Sequence, residues 1–96
     1  MYLIRQTHEF STWLNHLKDR QAEKKIRARI VMVEVGNFGD HKSVNDGVSE
    51  MRINSGPGYR LYYTIRDQVT VVLLAGGDKS SQQRNIRTAK QLARNL

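Results

Sequence analysis

The sequence predicts an α+β fold: an antiparallel sheet with a mixed edge, an N-terminal helical hairpin and a C-terminal helix, with the helices packed on one face. Apolar residues recur at helical spacing up to residue 35, the spacing changes to two from residue 41, and a capped amphipathic segment ends the chain. The predicted order is β-α-α-β-β-β-β-α. The 96 residues, 39% of them apolar, suffice for one domain over residues 1–96.

The first third of the chain predicts a short strand followed by two helices. Tyr2–Gln6 alternates weakly, and Thr7 and Asp19 are in position to cap the helices that follow. Gly36-Asn37 supplies a C-terminal stop, and the short connection between the helices predicts an antiparallel hairpin. The apolar stripes of the two helices are Phe10, Trp13, Leu14 and Leu17, then Ala22, Ile26, Ile30 and Val33.

Residues 41–75 predict four strands joined by tight turns, and a last helix follows them. Asp46-Gly47, SGPG (residues 55–58) and Asp67-Gln68 supply the turns. Ser80 with Gln83 predicts a capping box that begins the helix. The strands are His41–Asn45, Val48–Asn54, Tyr59–Arg66 and Val69–Ala75, and the helical stripe is Ile86, Ala89, Ala93 and Leu96.

Two arginines lie in the middle of the predicted central hairpin. Odd-numbered residues of both arms, such as Met51 and Leu61, are apolar and should face the helices. The even-numbered residues should project from the opposite, uncovered face. Because guanidinium groups bind phosphate through paired hydrogen bonds and phenol rings stack on bases, this face favours nucleic acid over a plain solvated surface. The even-numbered set is Glu50, Arg52, Arg60, Tyr62, Thr64 and Arg66.

The segment Leu73–Gln82 adds a second candidate feature. Two glycines, Asp78 and Lys79 lie between the last predicted strand and the last helix. Glycines let a backbone approach a ligand closely, and a helix N-terminus attracts anions. Lys79 would then reach the rim of the same sheet. A plain strand-to-helix turn explains the segment equally well, and the spacing of a P-loop is absent.

Charge and composition indicate what kind of molecule this protein binds. The net charge is +7, and Lys79–Leu96 contains five basic residues and no acidic one. Such an excess predicts a polyanionic partner, nucleic acid before membrane. The chain has no cysteine, and its three histidines show no metal-ligand spacing, so we expect no metal and no cofactor. The sequence shows neither a membrane-spanning run nor a signal pattern, so we expect a cytoplasmic protein.

Five stretches cover most of the chain: EFSTWLNHL, GNFGDHKSV, GVSEMRI, GPGYRLYY and LLAGGDKSSQQRNIRTA. In this order they resemble toxins of the RelE/ParE superfamily from bacterial type II toxin–antitoxin modules. The last two stretches resemble most closely its HigB-like, addiction-module killer branch. The resemblance implies a RelE-like fold, a cognate antitoxin of helix-turn-helix type from the adjacent gene, and cleavage of mRNA on the ribosome.

The resemblance also implies a metal-independent reaction, in which the RNA 2′-OH attacks the adjacent phosphate to give a 2′,3′-cyclic phosphate and a free 5′-OH. Arg52 and Arg60 would stabilise the charge at phosphorus, and Glu50 would be the general base. Lys79 would neutralise the phosphate or assist the leaving group. The residues predicted to contact RNA are Lys42, Tyr62, Arg66, Arg87, Lys90 and Arg94.

The C-terminal tail departs from several relatives, which carry a Tyr or His there as general acid or stacking residue. Residues 91–96 contain neither. Either Lys79, His41 or Tyr62 replaces it, or the ribosome supplies more of the mechanism. Two other functions stay open. ParE-like members inhibit DNA gyrase by protein binding without nuclease chemistry, and a protein that binds nucleic acid without chemistry needs no general acid. Fold alone does not decide among them.

Overall fold

The N-terminal strand joins the sheet beside the last strand. The structure, a computed structural model, describes residues 1–96. Its elements are β1 (Leu3–Gln6), α1 (His8–Asn15), α2 (Arg20–Glu34), β2 (His41–Ser43), β3 (Ser49–Ile53), β4 (Tyr59–Arg66), β5 (Thr70–Asp78), a 3-10 turn (Lys79–Ser81) and α3 (Gln82–Arg94). The sheet order is β1-β5-β4-β3-β2, with β1 parallel to β5 and all other neighbours antiparallel. The predicted α+β fold with a mixed edge is therefore confirmed.

Helices α1 and α2 begin at the residues that the sequence predicts. The Thr7 hydroxyl accepts a 3.0 Å hydrogen bond from the Phe10 N–H, and the Asp19 carboxylate accepts one of 3.0 Å from the Ala22 N–H. Each such cap satisfies an otherwise unpaired backbone donor and stabilises its helix by about 1 kcal/mol.

The odd-numbered residues of the central hairpin face α1 and α2, as strand alternation predicts. They join the first core cluster, against which Trp13 packs. Ile65, at the far end of β4, is an exception, because it is 40% exposed. The members from the helices and the hairpin are Phe10, Leu14, Ala22, Ile26, Val33, Met51, Ile53, Tyr59, Leu61 and Tyr63.

Helix α3 packs against the opposite face of the sheet, so the prediction that all helices share one face is wrong. Its buried Ala89 and Ala93 belong to a second core cluster. A β-bulge beside Tyr62 and Tyr63 lets the adjacent residues Leu74 and Ala75 both join this cluster. This departure from strict alternation gives the second face an apolar surface that α3 covers.

Strand β5 continues through both glycines to Asp78 instead of ending at the predicted Ala75. A Cβ on Gly76 would lie 2.3 Å from a ring carbon of Trp13, and a Cβ on Gly77 would lie 2.0 Å from the Asn85 side-chain oxygen. The two glycines therefore let neighbouring side chains approach the strand backbone, and they do not end the strand.

The start of α3 also differs from the prediction, because Ser80 forms no capping box. The Asp78 carboxylate accepts a 2.9 Å hydrogen bond from the Ser80 N–H and caps the 3-10 turn. Helix α3 then begins at Gln82, after Ser81, which makes no side-chain cap bond. Since Asp78 is the last paired residue of β5 and is itself a good capping residue, it begins the helical conformation earlier than Ser80 would.

Candidate active site

Arg52 of β3 and Arg60 of β4 lie directly opposite each other in the sheet. Glu50 and Tyr62 form another opposed pair two residues away, so all four side chains leave the same face of the hairpin. Their common face is the one that the sequence predicts. That face is not an open floor, however, because Glu50 and Tyr62 are fully buried in the half that α3 covers.

Glu50 is buried between the two guanidinium groups. Its Oε2 lies 3.7 Å from Arg60 Nε and accepts a 2.9 Å hydrogen bond from the side chain of Gln82 in α3. Its Oε1 lies 3.9 Å from Arg52 Nε. Glu50 Oε1 and both arginine Nε atoms are buried without a hydrogen-bond partner. Because solvent screens charges weakly there, the carboxylate holds the two like-charged side chains together.

A cleft of about 210 Å³ lies beside the two arginines, where β3 ends and β4 begins. Asp40 Oδ1 lies 3.5 Å from Arg52 Nη2, and the Asp40 side chain is 65% exposed. Arg60 is 12% exposed, and its Nη1 donates a 3.0 Å hydrogen bond to the Gly58 carbonyl. The cleft thus combines two guanidinium groups with one accessible carboxylate. Its lining residues are Asp40, Arg52, Ile53, Asn54, Gly58, Tyr59 and Arg60.

The burial of Glu50 conflicts with its predicted place on an open face. A general base must reach its proton directly or through one water. The Glu50 side chain has no exposed surface, whereas Asp40 faces the cleft. The sequence did not predict Asp40 as a site residue. It precedes β2 in a glycine-rich loop, and acidic residues are common in such loops without any functional role.

Lys79 lies at the rim of this cleft. It is exposed in the 3-10 turn, and its Cβ is 3.8 Å from the position that a Cβ would take on the cleft-lining Gly58. His41, another candidate to replace the missing C-terminal acid, is also exposed, and its Nδ1 lies 2.8 Å from the Gly39 carbonyl oxygen. Both therefore neighbour a cleft residue, Lys79 through Gly58 and His41 through Asp40, which precedes it in the chain.

Tyr62 does not present a stacking surface, which corrects its predicted role. The ring is fully buried in the second core cluster under α3. Burial and the neighbouring Glu50 carboxylate raise the pKa of the phenol. The side chain is therefore neutral and internal, and in this conformation no base can reach its ring.

Arg66 also serves the fold at a distance from the cleft. It lies at the far end of β4, and its Nη2 donates a hydrogen bond to the carbonyl of Ala93 in the last turn of α3. Such carbonyls have no partner within the helix. Its guanidinium therefore anchors α3, although the residue is exposed, and its contact with RNA stays a prediction.

The remaining basic residues predicted to contact RNA are at the surface. Lys42 is exposed on β2, opposite Glu50. Arg87 and Arg94 are exposed on α3, whereas Lys90 Nζ lies 3.4 Å from Asp46 Oδ2 and is largely covered. The stripe on α3 is thus accessible, but part of the Lys90 charge is already paired within the chain.

No group of three or more His, Asp or Glu side chains is arranged to hold a metal ion. None of the helices has the length and apolar character needed to cross a membrane.

Comparison with known protein families identifies the family of this chain. Residues 12–96 match the family described as Phage derived protein Gp49-like (DUF891). The chain belongs to this family. An uncharacterized protein of Haemophilus influenzae is 52% identical over 93 residues, which are 97% of this chain and 94% of that relative.

The fold of this Gp49-like protein is that of the RelE toxins. A mutant of the Escherichia coli toxin RelE in the free state superposes with a TM-score of 0.73 at 16% identity, over 94% of this chain and 96% of RelE. The Mycobacterium tuberculosis toxin–antitoxin complex RelBE2 gives 0.56 at 26% identity, over 81% and 98% of the two chains. The predicted membership of the RelE-like toxin superfamily is confirmed.

Proposed function

We propose that this Gp49-like protein is the toxin of a toxin–antitoxin pair, and that it cleaves mRNA on the ribosome. The observation that carries the proposal is the pair Arg52 and Arg60, held by buried Glu50 beside a cleft with the accessible carboxylate of Asp40. Two fixed guanidinium groups match a phosphodiester, and a nearby carboxylate can take a proton. A protein that acts by surface contact alone does not need such an arrangement.

The reaction that fits these groups is transfer of the phosphate to the neighbouring 2′-oxygen. The 2′-OH loses its proton, the oxygen attacks phosphorus, and the bond to the 5′-oxygen breaks as that oxygen gains a proton. The products are a 2′,3′-cyclic phosphate and a free 5′-OH. Arg52 and Arg60 stabilise the extra negative charge on the phosphoryl oxygens, a contribution of about a hundred- to a thousand-fold for a comparable single donor.

The two carboxylates have different roles in this proposal. Asp40 accepts the 2′-OH proton, because it faces the cleft and lies 3.5 Å from Arg52. Glu50, which the family resemblance implies as the base, instead positions the two guanidinium groups through its buried carboxylate. Proton transfer by a positioned side chain contributes about 10²–10⁴-fold. Lys79, at the rim beside Gly58, protonates the leaving oxygen or neutralises the phosphate.

The proposed partners are a cognate antitoxin, the ribosome and mRNA. RelE-like toxins of known structure include one in the intact Escherichia coli RelBE toxin–antitoxin complex, whose TM-score to this chain is 0.67 at 17% identity, over 81% of this chain and 96% of that chain. The net charge of +7 suits a partner built of RNA. The antitoxin is proposed to be the helix-turn-helix protein of the adjacent gene.

The test is in vitro cleavage of ribosome-bound mRNA, mapped by primer extension with analysis of the ends formed. We expect cuts only in the presence of ribosomes, with cyclic phosphate at the 3′ end. In cells, induction should stop protein synthesis before DNA synthesis, and co-expression of the adjacent gene should restore growth. Harmless overproduction of folded protein contradicts the toxin proposal. Early arrest of DNA synthesis with intact mRNA contradicts the nuclease and favours gyrase inhibition.

A further inference from the structure

A second, larger cleft lies on the other side of Tyr59 from the Arg52–Arg60 cleft. It encloses about 480 Å³ between α1, the end of β5 and the start of α3, and Tyr59 lines both clefts. Its wall is built on Gly76, whose missing side chain lets the Trp13 indole lie against the β5 backbone. The cleft therefore has an aromatic wall next to the proposed reaction site.

Two carboxylates in this cleft each retain an acceptor oxygen. Asp19 Oδ1 accepts from the Ala22 N–H, and Asp78 Oδ1 accepts from Ser80. The Oδ2 atom of each makes no hydrogen bond within the chain. The bonds from Ser80 hold the pKa of Asp78 below its usual value, so this carboxylate stays ionised at neutral pH.

Tyr59 adds a polar group to the wall of the cleft. The residue is only 8% exposed, but its hydroxyl, which makes no hydrogen bond within the chain, still reaches solvent. Burial and the charges of Asp19 and Asp78 raise the pKa of this phenol. A phenol hydroxyl that has no partner within the chain can donate a hydrogen bond to a polar ligand in the cleft or accept one from it.

The remaining polar side chains fit the other parts of a nucleotide. Lys18 and Arg84 line the same cleft and bring positive charge to it. Asn85 Oδ1 accepts from the Ser81 hydroxyl, so its amide N–H groups are left to donate. Cationic groups suit a phosphate, an aromatic wall suits a base, and the carboxylates suit N–H donors on the edge of that base.

We propose that this second cleft binds a guanine base of the RNA, in the nucleotide next to the one whose phosphate lies at Arg52 and Arg60. Guanine alone among the four bases presents two adjacent N–H donors, N1 and N2, on its pairing edge. Uracil would turn two carbonyl oxygens toward the carboxylates, and adenine and cytosine each present a ring acceptor beside their amine. The inference rests on the proposed nuclease function for its biological meaning, but the binding itself is measured without cleavage.

The experiment is a fluorescence titration, since Trp13 is the single tryptophan of the chain and lines the cleft. The probes are the mononucleotides GMP, AMP, CMP and UMP, added to the intact protein with correction for their absorbance. We expect saturable quenching by GMP at a concentration at least about ten-fold lower than by UMP. Equal curves for all four nucleotides, or quenching without saturation, would overturn the inference.

Conservative variants identify the groups responsible. Asp19→Asn and Asp78→Asn keep a side-chain oxygen for the two caps, since Asn caps helices as well as Asp does, but they remove the negative charge. Each should weaken GMP binding at least about ten-fold. The matched control is Asp67→Asn in the β4–β5 turn, where the backbone has φ +54 and Asn is well tolerated. Unchanged GMP affinity in both cleft variants would count against the site.

Two further arms separate this inference from its alternatives. A titration with Nα-acetyl-arginine amide tests whether the carboxylates and aromatic rings instead hold a cationic side chain of a protein partner. Saturation by that probe without saturation by GMP rejects guanine. A protein that binds GMP but cuts no ribosome-bound mRNA contradicts only the proposed nuclease, whereas a nuclease that ignores GMP contradicts only the base cleft.

Discussion

The guanidinium groups of Arg52 and Arg60 face each other across β3 and β4, and the carboxylate of Glu50 lies within 3.9 Å of both Nε atoms. Like charges directly opposite each other normally destabilise a sheet. Here the buried carboxylate offsets the repulsion, and no backbone or side-chain acceptor occupies either Nε. The arrangement keeps two positive groups fixed beside a cleft, and because both Nε atoms are buried, an anion would meet only the outer ends of the guanidinium groups.

Arg52→Ala and Arg60→Ala should each abolish toxicity and slow mRNA cleavage by about a hundred- to a thousand-fold, the loss expected for one charge-stabilising donor. Arg52 is 39% exposed, so its loss leaves no cavity in the core. Cleavage of ribosome-bound mRNA measures the rate, and circular dichroism checks the fold.

The control for these variants is Arg27→Ala on α2, which removes an exposed arginine whose one ion pair is with Glu23 in the neighbouring helical turn. It should cleave at the wild-type rate. Arg60→Lys should restore activity only in part, because an ammonium group cannot reproduce the paired donors of a guanidinium. Folded Arg→Ala proteins with unchanged rates would show that this cleft is not the active site.

Asp40→Asn and Glu50→Gln separate proton transfer from positioning. Asp40→Asn should reduce the cleavage rate by about 10²–10⁴-fold with little effect on stability, because the side chain is exposed. Glu50→Gln should lower stability as well as activity, since it leaves two guanidinium groups without their buried counter-charge. Urea unfolding and the pH dependence of the rate measure the two effects. If only Glu50→Gln reduces the rate, Glu50 is the base after all.

The sequence predicts the hairpin well because its signals are local. Alternation in β3 and β4 is enough to place Arg52, Arg60 and Glu50 on one face. The position of α3 could not be predicted in this way, because it depends on the bulge that puts Leu74 and Ala75 on the same side. The burial of Tyr62 and the Gln82–Glu50 hydrogen bond follow from that long-range packing.

Gly76→Ala should destabilise the protein by about 1–3 kcal/mol, the usual effect of overpacking. The new Cβ would lie 2.3 Å from the Trp13 ring. Trp13→Leu in the same chain should recover part of the loss, because the smaller side chain leaves the backbone of β5 free. Urea unfolding of the two single variants and the double variant gives the coupling free energy between positions 13 and 76. If the losses of unfolding free energy in the two single variants simply add in the double variant, the clash between the new Cβ and the Trp13 ring is relieved by movement of other residues.

The raised pKa of Tyr62 predicts how stability changes in alkali. A phenol whose pKa is higher in the folded state stabilises the protein below the unfolded pKa of about 10, and this stability is lost as pH rises above that value. Between pH 9 and 11 the wild type should therefore lose more unfolding free energy than Tyr62→Phe. The variant should also keep its cleavage rate, because the buried ring does not meet RNA. A large loss of activity would restore Tyr62 to the RNA-binding surface.

Ribosome binding should weaken steeply with salt, because basic residues displace counterions from RNA. Arg87 and Arg94 are exposed on α3. Changing both to Gln should reduce the slope of log affinity against log salt concentration. The expected reduction is about 0.7 for each phosphate that the variant no longer neutralises, which is the value for single-stranded nucleic acid. Lys90→Gln should have a smaller effect, since Asp46 already lies 3.4 Å from its ammonium group. The charge-matched control replaces exposed Arg20 and Lys24 of α2 with Gln. Equal slopes for the two double variants would show that the basic residues of α3 contribute only to net charge. A weaker salt dependence of the α3 variant alone would place that helix against ribosomal RNA.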